Sequence, residues 1–286
     1  MFFNGANVRL YRLCAYLCDR HHDNVHNKKS KEMENYQKVD SFQFEVDRTT
    51  VDKLHRMRPS ALCNMMLACA GRHADARGFG ATRKLGWVMA RMVLDIKNIP
   101  LGGQKFTIET FIKNAYRGFT DRCIRAVDEN GNELAAMMCT FAMIDLDTRA
   151  PFDFDSEFHD VFVKYLAPEE PFSIPRVPSP RRCNVDDVEP VHRRIRYSDV
   201  DINGHMNSIR YIDHIMDILS LDYLYTHDFS RFVVAYMQEA KPGEGLNYCM
   251  KEVEDDTYYV QIVKDSGEAI CRCEMSFLPR PEEDED

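Results

Sequence analysis

Val200-Asp201-Ile202-Asn203-Gly204-His205-Met206 has an upstream counterpart in Val51-Asp52-Lys53-Leu54-His55-Arg56-Met57, 149 residues earlier, with valine, aspartate and methionine in matching places. The hydrophobic pattern around the two stretches also matches. Upstream, residues 42–50 alternate as a strand, and Pro59 stands where the first turn of a helix accepts proline. Leu62, Met65, Met66, Cys69, Ala70 and His73 then recur at helical spacing until Gly78 and Gly80. Four runs of strand character follow at 87–96, 105–115, 121–128 and 134–145, with Glu129-Asn130-Gly131-Asn132 turning between the last two. Downstream, residues 190–197 read as a strand, and Ile209, Ile212, Ile215, Met216 and Leu219 mark a helix over 206–223. Four more strands are expected at 231–239, 246–253, 257–264 and 268–277. A unit of one strand, one helix and four strands therefore occurs twice.

Between the copies, Pro168, Pro171, Pro175, Pro178 and Pro180 are too dense for a helix or a central strand and read as a linker. The expected organisation is an extension at 1–38, a first domain at 39–167, the linker at 168–186, a second domain at 187–280 and an acidic tail at 281–286. A long helix on a curved antiparallel sheet, made twice in one α+β chain, is the plan of a tandem (double) hotdog. With 286 residues, 44% of them hydrophobic, the chain is globular in composition, and no apolar run reaches the ~20 residues of a membrane span. The net charge of -9 includes five acids at 282–286. The remaining -4 excludes a broad basic footprint for nucleic acid. Ten scattered cysteines without a secretory signal point to reduced thiols and a cytoplasmic setting. Cys14, Cys18, His21, His22 and His26 lie close together but lack the separated pairs of a zinc finger, so no metal is expected there. Core patterning begins only near Val39, which leaves residues 1–32 outside the expected fold and makes Met33 a candidate start.

If 201–205 is extended, Asp201, Asn203 and His205 share one face, next to a helix N-terminus whose free N–H groups would stabilise an oxyanion. A polar turn capping a helix is the plainer alternative, and the added histidine favours chemistry. The upstream counterparts of Asn203 and His205 are Leu54 and Arg56, so only the second copy can carry that chemistry. The first copy, with its Met-rich helix, is left to house something apolar. Val233, Ala235, Met237 and Glu239 fall on one strand face, and burial at its end would tune the Glu239 carboxylate as a base. A solvated glutamate beside Lys241-Pro242-Gly243 is the alternative.

Three blocks resemble the acyl-acyl-carrier-protein (acyl-ACP) thioesterases of plants and bacteria: 201–207 leading to Tyr211-Ile212, the 87–96 strand after the first helix, and Met237-Gln238-Glu239-Ala240. The likeness runs from Val39 to Leu278. It implies hydrolysis of the thioester between a fatty acyl chain and acyl carrier protein, without metal or organic cofactor, at a site of Asp201, Asn203, His205 and Glu239. Plant members often carry cysteine after the glutamate. Ala240 stands there in this chain, so no thiol attack is available at that position. For the acyl chain, Trp87, Met89 and Arg91 share a strand face and Met65 and Met66 lie on the helix as flexible apolar groups, although core packing explains the same residues. An acidic carrier protein would meet Arg193, Arg194 and Arg196, or Arg117, Arg122 and Arg125; ordinary solvated strand faces explain these equally. The rivals are an acyl-CoA thioesterase on the same fold and a non-catalytic acyl-binding sensor. Two hotdog units in one chain already form a pair, so a homodimer would be a further association.

Overall fold

In the computed structural model the described residues are 36–80, 82, 84–153 and 159–281. The Cys/His cluster at 14–26 and the acids at 282–286 lie outside them. β1 (Asp40–Glu45) alternates half-buried and exposed residues as a strand packed on one side should. A 3₁₀ turn (Arg48–Thr50) leads to α1 (Pro59–Ala76), which opens on its proline and buries Leu62, Cys63, Met66, Cys69, Ala70 and His73 along one stripe. β2 (Leu85–Ile96), β3 (Lys105–Tyr116), β4 (Phe119–Asp128) and β5 (Glu133–Asp145) follow. α2 (His159–Tyr165), β6 (Val191–Arg194), α3 (Arg210–Met216) and α4 (Leu221–Thr226) lead into β7 (His227–Tyr236), β8 (Gly245–Glu254), β9 (Thr257–Lys264) and β10 (Ala269–Pro279).

Among the described residues these strands form one antiparallel sheet in the order β1-β3-β4-β5-β2-β7-β10-β9-β8-β6. Read outward from the middle, β2-β5-β4-β3-β1 on one side repeats as β7-β10-β9-β8-β6 on the other. The copies meet edge to edge, Arg91–Asp95 of β2 against Ala235–Arg231 of β7, which pairs two strand edges that separate units would expose. β5 is central and covered on both faces. Its run from Leu134 to Cys139 is therefore buried almost without a break, where alternation would mark a half-exposed strand.

The main core lies between one face of the sheet and the helices, α1 packing on β3 and β4 and meeting α3. The second helix differs from expectation. Instead of one helix over 206–223, α3 stops at Met216 and α4 starts after Ser220, whose extended backbone and side chain, accepting from Tyr223 N at 3.1 Å, begin a new helix. Such a cap competes with continuation of the preceding helix.

The 168–186 segment is more than a spacer. Ile174 is buried, and Phe172 and Val177 pack with it over Val93, Phe111, Ala136, Met138 and Val233 on the sheet face away from the helices. The Phe172 and Phe111 rings meet edge to face with centroids 5.9 Å apart. Covering an aliphatic side chain of this size stabilises the fold by about 1.5–3 kcal/mol. The prolines keep the segment out of the ladder while its apolar side chains close the core.

Candidate active site

Asp201–His205 is a closed turn, where an extended stretch was expected. Val200 and Met206 pair as an antiparallel bridge, Asp201 N donates to His205 O at 2.9 Å, and Gly204 N donates to Asp201 O at 3.0 Å. Gly204 has φ of 78°, a left-handed conformation that glycine adopts without penalty. Asp201 builds this turn: its Oδ1 accepts from Asn203 N at 2.8 Å and from His205 N at 3.4 Å. The three side chains are thus gathered by a turn around one carboxylate and not by strand alternation.

Two anchors hold the turn. On one side Asn207 N donates to Asp199 O at 2.8 Å, and Asp199 Oδ1 lies 3.0 Å from Nε2 of His214, whose Nδ1 is 2.8 Å from the hydroxyl of Tyr248. On the other, Met206 N donates to Ala240 O at 2.8 Å. That second bond ties the residue after His205 to the residue after Glu239. It brings His205 Nε2 to 3.5 Å from Glu239 Oε2.

β7 ends at Tyr236, so Glu239 stands in the loop beyond it and not on a strand face with Val233 and Ala235. Its side chain is 36% exposed and paired through Oε2 with Arg149, so the burial expected of it is absent. Arg149 was not anticipated from sequence. It sits at φ of 61° in the loop after β5, where Asp145 Oδ1 accepts from the amides of Asp147 and Thr148 and holds that loop's shape. A lone exposed arginine beyond a strand gives no local signal of a partner ninety residues away.

A cavity of about 630 Å³ joins these groups to the first half. Asp201, Asn203, His205, Glu239 and Arg149 line it together with Trp87, Met89, Phe79, Phe162 and Arg122. Trp87 Nε1 donates to Phe79 O at 2.7 Å, and the Phe79 and Phe162 rings stack at 4.2 Å.

Of the residues considered for the acyl chain, Trp87 and Met89 are on this wall, while Arg91, Met65 and Met66 are not. An irregularity between Met89 and Arg91 shifts the register of β2. Met92 and Leu94 therefore continue the core-facing row and Arg91 turns to the face away from the helices, where it is itself exposed. Met66 is fully buried in the core and Met65 packs against it, whereas Leu67, Ala70, Gly71 and Ala74 are the α1 residues facing the cavity.

The expected helix amides are also committed. Asn207 takes the amide of Ile209 on its side chain at 2.8 Å and that of Arg210 on its carbonyl at 3.0 Å. The side-chain donors at the turn are Nδ2 of Asn203, which also lies 3.4 Å from Asp201 Oδ2, and the His205 ring.

Neither basic cluster is an unbroken surface. Arg122 is buried, and Arg125 is tied to Glu109 at 2.6 Å and to Pro171 O. On β6, Arg193 lies 3.6 Å from Asp217, while Arg194 and Arg196 are exposed.

Residues 37–162 match the acyl-ACP thioesterase N-terminal domain and residues 184–279 the acyl-ACP thioesterase C-terminal domain. An acyl-ACP thioesterase from Bacteroides thetaiotaomicron, known as a crystal structure, is 33% identical, superposes with a TM-score of 0.75, and is covered over 98% of its length by 84% of this chain. The 12:0-ACP thioesterase from Umbellularia californica shares the fold at a TM-score of 0.76 with 18% identity, over 86% of this chain and 99% of that one. The oleoyl-acyl carrier protein thioesterase of Coriandrum sativum, described as chloroplastic, is 24% identical over 74% of this chain. The chain spans about three fifths of the length of such curated relatives, 63% in that case. These likenesses show the double hotdog fold, and with both domains matched in order across most of the folded region, the chain belongs to the acyl-ACP thioesterase family.

Proposed function

We propose that the protein hydrolyses the thioester between a fatty acyl chain and acyl carrier protein, with the first half holding the chain and the second half carrying the chemistry. The observation that carries this reading is the 3.5 Å approach of His205 Nε2 to Glu239 Oε2 on the wall of a cavity shared with Trp87, Met89 and Phe162. Arg149 and His205 both lie against Oε2. In this reading the other oxygen, Oε1, takes the proton from water.

In that reaction Glu239 accepts the proton as the water oxygen bonds to the thioester carbon. His205 orients the base, and the side-chain amide of Asn203 donates to the oxygen that gains charge. The tetrahedral intermediate then expels the carrier thiolate, which takes the proton held by Glu239, and the fatty acid is released. Direct attack by Glu239 to give an anhydride, hydrolysed in a second step, uses the same residues. Asp201 is a positioning residue, since its oxygens face the turn it builds.

For the partner, Ile202 at the tip of the turn is fully exposed and Tyr197 is 98% exposed, with Arg194 and Arg196 nearby in sequence. This mixture of apolar anchors and positive charge suits an acidic carrier protein. No helix among the described residues is long and apolar enough to cross a membrane.

The test is turnover of matched acyl-ACP and acyl-CoA thioesters by wild type and Glu239→Gln. The expected result is hydrolysis of the carrier-protein substrates with a loss of roughly 10²–10⁴-fold in the variant. Retained activity in a folded Glu239→Gln protein sinks the assignment of the base. A preference for acyl-CoA removes the partner, and binding of acyl chains without turnover leaves a sensor.

A further inference from the structure

The inner wall of the cavity carries a charge that the fold does not require. Arg122, on β4, is 6% exposed and lines the cavity with Thr120, its neighbour on the same strand face. Its Nη1 donates to His73 Nδ1 at 2.9 Å, and His73 Nε2 in turn donates to Lys38 O at 3.0 Å. Arginine can only donate, so this arrangement holds His73 as the neutral imidazole and supplies no countercharge. Asp40 gives both of its oxygens to Arg77, at 2.7 and 2.8 Å. Among the described residues no carboxylate pairs with Arg122. The local sum is two guanidinium groups and one carboxylate.

A buried cation left unpaired is costly, and burial pulls Arg122 down to about 10. The other half shows that the sheet does well without it. Arg122 pairs with Cys139, Cys139 with Met92, Met92 with Val234, Val234 with Cys273, and Cys273 with Val260. Counted outward from the junction, the counterpart of Arg122 is Val260, fully buried in the core. The same ladder puts Arg122 three strand spacings, about 14 Å, from Val234, which lies five residues before Glu239. The unpaired donor therefore stands well away from the site of hydrolysis, among Ile112, Phe79 and Phe162.

We infer that Arg122, with Thr120 beside it, binds a hydrogen-bond-accepting oxygen group at the far end of the acyl chain, a carboxylate above all. This rests on the hydrolase reading for the chain's orientation. It adds that the preferred substrate is an oxygenated acyl chain and not a plain hydrocarbon one. The Arg122 fork offers the carboxylate paired donors in a site shielded from water, where such pairing is strongest.

The experiment compares acyl-ACP thioesters of one chain length that end in methyl, hydroxyl or carboxylate, with wild type, Arg122→Met and Arg122→Lys. Wild type is expected to favour the carboxylate over the methyl end by roughly tenfold or more in kcat/KM, with hydroxyl between. Arg122→Met abolishes or reverses that order, and Arg122→Lys, which keeps the charge but not the fork, falls between. In parallel, fluorescence of Trp87, the only tryptophan and a cavity residue, reads the binding of acyl methyl esters that end in a free carboxylate against methyl esters of equal length that end in methyl. A methyl end bound and hydrolysed as well as the others by wild type overturns the inference, whether or not the variants fold. A preference that survives Arg122→Met overturns the assignment to Arg122. If no thioester is turned over, the hydrolase reading falls and the binding ratio alone decides.

Discussion

The turns Asp52–Arg56 and Asp201–His205 have one architecture and two uses. Each closes with a bridge, Val51 to Met57 and Val200 to Met206. In each the first aspartate receives the amide two residues on, Leu54 N at 2.9 Å and Asn203 N at 2.8 Å, and each has a left-handed fourth residue, His55 at φ of 60° and Gly204 at 78°. They part at the fifth residue. Arg56 pairs back to Asp52 and across to Asp228 at 2.7 Å and Leu224 O at 3.0 Å, fastening the first half to the second. His205 instead faces Glu239 and the cavity. The turn therefore needs its aspartate for shape, while the fifth position is free to hold either a structural tie or a chemical group. Arg122 and Val260 make the same point within the sheet.

The largest effect expected to test this division is on rate. His205→Ala loses about 10²–10⁴-fold in kcat, whereas Arg56→Ala leaves kcat of the folded protein unchanged and lowers its melting temperature. Equal losses of kcat in steady-state assays would show that the two turns are not divided as proposed.

The acid response follows from His73, which burial and the adjacent Arg122 push down to about 4 from 6.5. The unfolded chain takes up this proton near pH 6.5, but the folded one resists it until about pH 4. Stability present above pH 6.5 is therefore lost as pH falls through that window, about 3 kcal/mol in all. Asp40, held below its usual value by the hydrogen bonds of Arg77, acts in the same direction at lower pH. Denaturant melts at several pH values should show the loss in wild type and a flatter profile in His73→Gln.

Removing either turn's acceptor costs about 1–3 kcal/mol, as Asp52→Ala or Asp201→Ala strands amides it now accepts. Asp201→Asn keeps an oxygen in place and should keep most activity. If it instead matches Asp201→Ala in rate while melting like wild type, the charge of Asp201 has a role beyond the turn.

The smallest effects have opposite signs. Gly204→Ala costs about 1 kcal/mol through backbone conformation alone, since a Cβ there meets no atom within 4 Å. His55→Gly, at the matching position, should be neutral or stabilising, as the left-handed strain is relieved. Melting temperatures of the two variants read this directly.

Much of this was legible because it is local. The helix stripe of α1, the alternating strands and the offset of 149 that aligns the two turns follow from backbone geometry, which repeats every 3.6 or 2 residues and leaves its period in the side chains. The candidates Asp201, Asn203, His205 and Glu239 came from their residue types and the family resemblance; the strand alternation expected of 201–205 and 233–239 is not what gathers them, yet the structure brings all four to one cavity. Boundaries fared less well where local chemistry competed, as at Ser220, which ends one helix by starting another.

What the sequence alone determined was the duplication, the α+β plan and the asymmetry that gives histidine to one turn and arginine to the other. Only the tertiary structure decided that Arg149 meets Glu239, that Arg91 leaves the cavity through a register shift while Arg122 enters it, and that a proline-rich connection covers the second face of the sheet. These depend on which distant segments share a sheet face or a loop cluster. A period of two or 3.6 residues says which way a side chain points, and nothing of what it will find there.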